Sequence, residues 1–586
     1  MDRDAFERRL GVLLAVIAGL LGVLALRLWQ VQIVQGEYYL RLSEENRLRV
    51  TPIAAPRGLI VDRRGRPLVE NRPAFTVAVL PTEFRHPDGE IPVLSRILGV
   101  DPAEVARKLN EARARPFAPV PLRRDVPKEV VAAVEESRID LPGVVVEAEP
   151  VREYPYHELA AHLLGYVGEV SEQDLRAFPH AGYQPGDLVG KAGVERAYDQ
   201  YLRGQNGEIQ AEVDAQGRVV RNLGMVPAVP GDTVVLGVDL TVQQAAEAAL
   251  GDRRGAVVAL DPRNGAIVAL VSHPSFDPNL FAAGIPASAW TRLVRDPGQP
   301  LLDRALQAGY PTGSVFKVVT ASAALDLGIV RPDTQFYSPG YYQVGGWTFH
   351  EWKALGHVDF IDAIAQSCDA CFYELSRRLG ADRLAEYAHR YGLGRPTGVD
   401  LPGEDPGLIP TPAWKERRFR RPWYVGDTLN MGIGQGYVLA TPLQVARMMA
   451  AVANGGDLVT PHVATEIRAP GGRVVARIAP PPGGEVRLSP EALAVLRTGL
   501  RAVVTRGTAA AIQIPGLPVA GKTGTAEAPH GKPYAWFAGY APADAPRLVV
   551  VAVVENAGFG AEFAAPIVQR VMEAAFGLSP AGDPRP

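Results

Sequence analysis

Ser314 and Lys317 stand three residues apart in Tyr310-Pro311-Thr312-Gly313-Ser314-Val315-Phe316-Lys317. On a helix that spacing puts both side chains on one face, so the amine can reach the hydroxyl. The pairing supplies what a serine without a histidine needs: an amine, its proton affinity lowered by burial or by a second cation, that takes the hydroxyl proton and makes a nucleophile. The expected chemistry is acyl transfer through a serine ester. Pro311-Thr312-Gly313 forms a turn that places Ser314 in the first helical turn, where free N–H groups and the helix dipole favour an oxyanion. With fourteen serines and eight lysines in 586 residues, a Ser-x-x-Lys arises by accident about 0.2 times. Alone it reads equally as a capping serine beside a solvated lysine, so its companions decide.

The first companion is Ser367-Cys368-Asp369, ahead of a helical run over 370–379. Its hydroxyl can relay a proton to a leaving amine, and its carboxylate can hold the lysine or a substrate amide. The second is Gly521-Lys522-Thr523-Gly524-Thr525. Read from Gly516 to Thr523, it also satisfies the phosphate-binding pattern Gly-x-x-x-x-Gly-Lys-Thr. That loop requires a buried strand before it and a helix starting at the lysine. Pro515 and Pro518 interrupt the approach, and Gly524, Pro529 and Gly531 prevent the helix, so nucleotide binding is set aside. As a strand, the segment points Lys522 and Gly524 to one face and Thr523 and Thr525 to the other, and the glycine lets an extended peptide approach the backbone.

These groups need a frame, and 586 residues exceed what one hydrophobic core serves. Residues 1–9 read as a cytoplasmic tail and 10–33 as a transmembrane anchor. Residues 34–230 read as a β-rich, non-catalytic pedestal with a helical head at about 82–140, 231–578 as the domain carrying the site, and 579–586 as a disordered tail. Leu10 to Leu26 carries no charge and is extended by Leu28 to Val34, long enough to span a bilayer. Arg3, Arg8 and Arg9 precede it and favour a cytoplasmic N-terminus, which leaves the bulk of the chain outside. In the pedestal, Thr76 to Val79 and Val144 to Glu147 read as strands and Val194 to Arg203 as a helix between glycines. In the site domain, Val234-Val235-Leu236 opens a sheet, 241–250 is a helix, and 256–261 with 267–271 is a hairpin turning at Asn264-Gly265. A long helical middle over 315–451 precedes a buried strand at 548–555 and a helix at 564–576. Strands at both ends of the segment must meet across helices, which makes an α+β domain: an antiparallel sheet covered by helices.

The composition, 47% hydrophobic and 21% charged with a net charge of -3, is globular and gives no electrostatic case for nucleic acid. The two cysteines fall in Cys368-Asp369-Ala370-Cys371, a spacing shared by redox motifs and half of a zinc site. The favoured reading is two small buried thiols on one helical face. No cofactor is called for and no metal ligand is assigned; zinc at His350, His357 and the cysteine pair stays open.

The three motifs, in this order, resemble those of the penicillin-recognising serine transpeptidases. The similarity extends over nearly the whole chain. Arg57-Gly58-Leu59-Ile60-Val61-Asp62-Arg63-Arg64-Gly65 resembles the opening motif of class B penicillin-binding proteins, and Gly190-Lys191-Ala192-Gly193-Val194-Glu195 a later motif of their pedestal. Gly426-Asp427-Thr428, Gly434-Gln435-Gly436 and Thr441-Pro442-Leu443-Gln444 are similar to their catalytic domain, and Ser-x-Asp followed by Phe372-Tyr373 is similar to the elongation type. The resemblance implies a penicillin-binding/β-lactamase-like transpeptidase fold and cross-linking of peptidoglycan stem peptides through an acyl-enzyme on Ser314, the residue β-lactams would trap. It implies Lys317 as base, Ser367 as proton relay oriented by Asp369, and Lys522, Thr523 and Thr525 as receivers of the substrate carboxylate beside Gly524. The backbone N–H groups of Ser314 and Thr525 would form the oxyanion hole. It further implies a bacterial inner-membrane protein with its catalytic domain in the periplasm, partnered by a SEDS glycosyltransferase of the RodA type. A D,D-carboxypeptidase or a β-lactam sensor of the same fold is the alternative.

Overall fold

The computed structural model describes residues 3–38, 48–81, 83–84, 86–111, 119–177, 182–184, 186–213 and 219–579; the expected tail beyond 579 lies outside them. The N-terminal helix runs over Arg3–Trp29 and continues as a wider turn over Gln30–Val34. Residues 8–34 are long and apolar enough to cross a membrane; their most apolar eighteen-residue window has a mean hydropathy of 2.4, and none of that window is buried against the rest of the chain. The expected anchor over 10–33 falls inside it.

The chain divides into two compact units whose segments alternate along the sequence. The first comprises residues 1–55, 74–149 and 205–229. It holds a three-stranded antiparallel sheet in the order 48–53, 207–213, 219–226. It also holds the head, where Phe75 to Val79 pairs with Val120–Val126 under the helices Pro87–Leu98, Pro102–Glu111 and Lys128–Glu136. Val77, Val79, Leu94, Leu98, Val105 and Leu122 form its core, so the expected helical head contains a strand pairing of its own.

The second unit comprises 56–73, 150–204 and 230–586, in place of the single border expected at 230. Buried charge explains why the early segments fold there. Glu195, fully buried, accepts Arg57 Nη2 at 2.8 Å and Arg152 Nε at 2.6 Å, while Arg57 also reaches Asp199 at 2.9 Å and Arg152 donates to Gly58 O at 2.7 Å. Asp62 accepts the backbone N–H groups of Arg64, Arg66 and Leu240 and the Arg66 guanidinium. The two motifs that resemble pedestal signatures therefore supply the ion clusters of this unit. The helix expected over 194–203 breaks at Tyr198 into Gly193–Ala197 and Asp199–Leu202, where Asp199 turns back to accept the Gly190 N–H and Arg57.

Among the helices of this unit are α1 (Leu240–Leu250), α2 (Lys317–Asp326), α3 (Phe360–Ala365), α4 (Asp369–Leu379), α5 (Val425–Gly432), α6 (Pro442–Asn454), α7 (Pro490–Thr505) and α8 (Ala565–Ala575). Five antiparallel strands, β1 (Gly255–Leu260), β2 (Ile267–His273), β3 (Ala520–Ala526), β4 (Tyr534–Ala541) and β5 (Leu548–Val554), form a sheet in the order β2-β1-β5-β4-β3. Every residue of β1 and β5 is buried, as a sheet covered on both faces requires. α1 and α8 pack on it and on each other, and α6 and α7 pack on it separately. Val234 to Leu236, expected in this sheet, instead pairs in parallel with Ile60–Val61 and antiparallel with Ala464–Arg468. The helical middle hides two small hairpins: Phe336–Ser338 pairs with Gly356–Val358, and Tyr341–Val344 with Trp347–His350. Gly345 and Gly346, both at positive φ, make the tight turn that a two-residue hairpin demands.

Glu195→Ala leaves the buried Arg152 guanidinium without its carboxylate and Arg57 with Asp199 alone, and is expected to cost about 3–5 kcal/mol in urea unfolding. Glu135→Ala, which breaks an exposed pair with Arg138, is expected to stay within about 1 kcal/mol.

Candidate active site

Ser314 lies in a 3-10 turn, Gly313–Phe316, and Lys317 begins α2. In a 3-10 turn residues i and i+3 eclipse, so the two side chains leave the backbone in one direction. Lys317 is almost wholly buried. Its Nζ donates to Asp369 Oδ1 at 2.6 Å, Ser367 O at 2.8 Å and Ser367 Oγ at 3.2 Å. An ammonium has three donors, and all three are engaged. The expected reach of Lys317 to the Ser314 hydroxyl therefore differs in detail: the cation faces the Ser367-Cys368-Asp369 segment, because a buried charge must be paired and Asp369 supplies the carboxylate. Ser367 is held at φ 58°, the left-handed region, which costs an L-residue about 1–3 kcal/mol and turns its carbonyl toward Lys317.

Strand β3 closes the other side. Its register with β4 runs without a shift from Ala520↔Tyr540 to Ala526↔Tyr534, so the strand alternation holds. Gly524 packs on the Ser314 turn, where a Cβ would lie 2.7 Å from Thr312 O and 2.9 Å from Val315 Cγ2. Gly313, at φ 52°, answers it: a Cβ there would lie 2.6 Å from Thr525 O. The two glycines let turn and strand touch backbone to backbone. Lys522, on the same side as Gly524, is fully buried and, among the described residues, donates to Thr523 O alone, at 3.2 Å. Burial, then the like charge of Lys317, holds its amine well below the ordinary lysine range, and Asp369 only partly compensates. On the other side Thr523 Oγ1 and Thr508 Oγ1 share a hydrogen bond at 2.7 Å, and Thr525 Oγ1 accepts the Gly560 N–H at 3.2 Å.

The sulfurs of Cys368 and Cys371 are joined in a disulfide across the first turn of α4, in place of the two thiols expected. Neither is a free ligand, and among the described residues no three His, Cys, Asp or Glu side chains are grouped to hold a metal. Three contributors had no motif of their own to mark them at the site. Thr508 follows α7. Gln435 bridges the end of β3, donating to Thr525 O at 3.4 Å and accepting the Glu527 N–H at 3.2 Å; it lies in Gly434-Gln435-Gly436, which the resemblance singled out without a role. Glu351, at the base of the hairpins, accepts the Asp369 N–H at 2.6 Å. Together the site offers a serine hydroxyl, a buried ammonium–carboxylate pair, a second amine of lowered proton affinity, and an edge strand. Gly524→Ala forces turn and strand apart by a good fraction of an ångström and is expected to slow acylation by a fluorescent penicillin about 100-fold, measured by stopped-flow labelling of the folded variant.

The profile of the penicillin binding protein transpeptidase domain matches residues 255–573, and that of the penicillin-binding protein dimerisation domain matches 52–236. A protein of Haemophilus influenzae named peptidoglycan D,D-transpeptidase MrdA is 35% identical over 601 residues, covering 98% of this chain and 92% of its own length. Among solved structures, a chain of a peptidoglycan synthase complex described as coordinating polymerization and crosslinking is 35% identical, with a TM-score of 0.72 over 98% of this chain and 100% of that one. Penicillin-binding protein 2 of Helicobacter pylori, solved in complex with MreC, is 28% identical with a TM-score of 0.79, covering 90% of this chain and 99% of its own. With both domains matched in order and likeness along nearly the full length, the chain belongs to the class B penicillin-binding proteins, in their elongation-type, penicillin-binding protein 2 branch.

Proposed function

We propose that the protein is a peptidoglycan D,D-transpeptidase that cross-links stem peptides during cell-wall elongation, with Ser314 carrying the acyl group. The observation that carries this reading is the buried Lys317 ammonium paired with the partly buried Asp369 carboxylate, beside a turn pressed, through Gly313 and Gly524, against the Lys522-Thr523-Gly524-Thr525 strand. Lys317, after passing a proton to the Asp369 carboxylate, takes the Ser314 proton; Ser314 Oγ attacks the D-alanyl-D-alanine carbonyl, and the carbonyl electrons move onto oxygen. Backbone N–H groups of Ser314 and Thr525 stabilise that oxyanion. As the C–N bond breaks, the leaving D-alanine amine receives a proton through Ser367, which Asp369 orients. An amine of a neighbouring stem then attacks the ester, loses its proton to the same relay, and frees Ser314. Thr523 and Thr525, on one face of the strand, receive the substrate's terminal carboxylate, and Lys522, on the opposite face, adds its positive charge. Penicillins stop the cycle at the ester.

The apolar N-terminal helix supports a single-pass anchor in the bacterial inner membrane with the N-terminus in the cytoplasm and residues 34–230 and 231–578 outside. A relative in a peptidoglycan synthase complex supports partnership with a SEDS glycosyltransferase of the RodA type.

Purified ectodomain incubated with fluorescent penicillin is expected to carry the label on the peptide containing Ser314, and Ser314→Ala to carry none; persistent labelling refutes the assignment. With pentapeptide stems, cross-linked dimers are expected beside released D-alanine, and release alone points to a carboxypeptidase. The depressed Lys522 amine gives a pH signature. Its proton is favoured only once an anionic carboxylate arrives, so binding takes up a proton at pH values between the depressed and the ordinary lysine value. Calorimetry of the Ser314→Ala protein with penicillin, in buffers of different ionisation enthalpy, is expected to show that uptake, and Lys522→Met to lose it.

A further inference from the structure

The hairpins over 336–358 meet the site at Glu351. This residue follows the strand Trp347–His350, and its backbone N–H donates to Gly340 O at 2.9 Å. Its side chain is a bridge: Oε1 accepts the Asp369 N–H at 2.6 Å and Oε2 accepts the Ser338 hydroxyl. Both oxygens act as acceptors, which suits an ionised carboxylate. The Asp369 N–H belongs to the first turn of α4, one of the groups a helix cannot satisfy internally, and a carboxylate there also meets the positive end of the helix dipole. The cap thus comes from a different element, and it lands on the residue whose side chain holds Lys317.

The groups facing Glu351 are Lys317 from α2 and Asp369 and Tyr373 from α4, with Lys522 of β3 facing Lys317 and Asp369 behind them. Burial and the like charge of Asp369 push the Glu351 carboxyl up, while the Ser338 hydroxyl, Lys317 and the Asp369 N–H favour its charged form. The carboxylate therefore shares one electrostatic neighbourhood with the Lys317–Asp369 pair.

We propose that Glu351 is a positioning residue for acylation of Ser314: it caps α4, aims Asp369 at Lys317, and places a second negative charge behind that pair. The inference rests on the Ser314 reading, and loss of penicillin labelling in Ser314→Ala tests that reading separately. The second-order rate of penicillin acylation is followed against pH for the parent protein and three variants. Glu351→Ala removes cap and charge together and is expected to lower the plateau rate at least about tenfold. Glu351→Gln keeps an acceptor for the Asp369 N–H and is expected to recover most of that loss. It removes one negative charge, however, so the ammonium gives up its proton more easily. The acid limb of its profile therefore moves to lower pH, by about half a unit or more. Ser338→Ala leaves the charge in place and is expected to lose rate a few-fold with its acid limb unmoved; it also serves should Glu351→Ala fail to fold. A Glu351→Gln profile with the acid limb of the parent, or a folded Glu351→Ala as fast as the parent, overturns the proposal.

Discussion

One ammonium, Lys317 Nζ, is buried and can remain so only while three acceptors surround it. Taking such a charge out of water costs several kcal/mol unless a carboxylate and further hydrogen bonds offset the loss. Asp369 is that carboxylate, and it must start a helix, α4, whose first N–H is held by Glu351. The remaining acceptors come from Ser367, which reaches them only by adopting a left-handed backbone that an L-residue disfavours. The geometry around the proposed nucleophile is thus a consequence of satisfying one cation, and the strain at Ser367 is the local cost.

The second lysine shows the same constraint from the opposite side. Lys522 is as deeply buried as Lys317 but has a backbone carbonyl where Lys317 has a carboxylate, and it faces Lys317 across the site. Two fully paired cations would need two carboxylates, and Asp369 is committed to one of them. Environments that separate the proton affinities of two chemically identical groups let them take different parts in one reaction. The amine without a carboxylate is suited to an incoming anion, and the paired one to the proton traffic at the serine.

The chemistry was more legible in the sequence than the architecture that aims it. Ser314, Lys317, Ser367, Asp369 and Lys522 stand out because few residue types can do acyl transfer and their spacings are short. The hairpin 256–271 was legible from Asn264-Gly265 between apolar runs, and the strand 548–554 from an unbroken apolar run rich in valine. The hairpins over 336–358 were not, although Gly345-Gly346 between aromatic runs is a turn signal; they sit within a mostly helical stretch, and short strands carry little periodicity. Glu351 was invisible for a related reason: an isolated acidic residue becomes part of the site only when a hairpin carries it to the N-terminus of α4. Val234 to Leu236 read correctly as a strand, but strand pairing is a long-range choice that local pattern does not contain. The disulfide was illegible because spacing alone fits a thiol pair, a redox motif and half a metal site alike.

The interleaving of the two units follows from buried charge as well. Arg57, Arg152 and Glu195 come from three distant stretches of chain, and each is nearly or wholly removed from solvent. Among the described residues Arg57 Nη1 and Arg152 Nη2 have no hydrogen-bond partner; apolar side chains of the same volume often pack at equal or lower cost than a buried ion cluster. What an ion cluster with fixed donor directions provides instead is selectivity. A guanidinium displaced by one residue loses its carboxylate entirely, whereas a displaced leucine finds another apolar neighbour. Segments 56–73 and 150–204 are thereby held to one register within the unit that carries the site, while the stretches that flank them, 74–149 and 205–229, fold as part of the other unit.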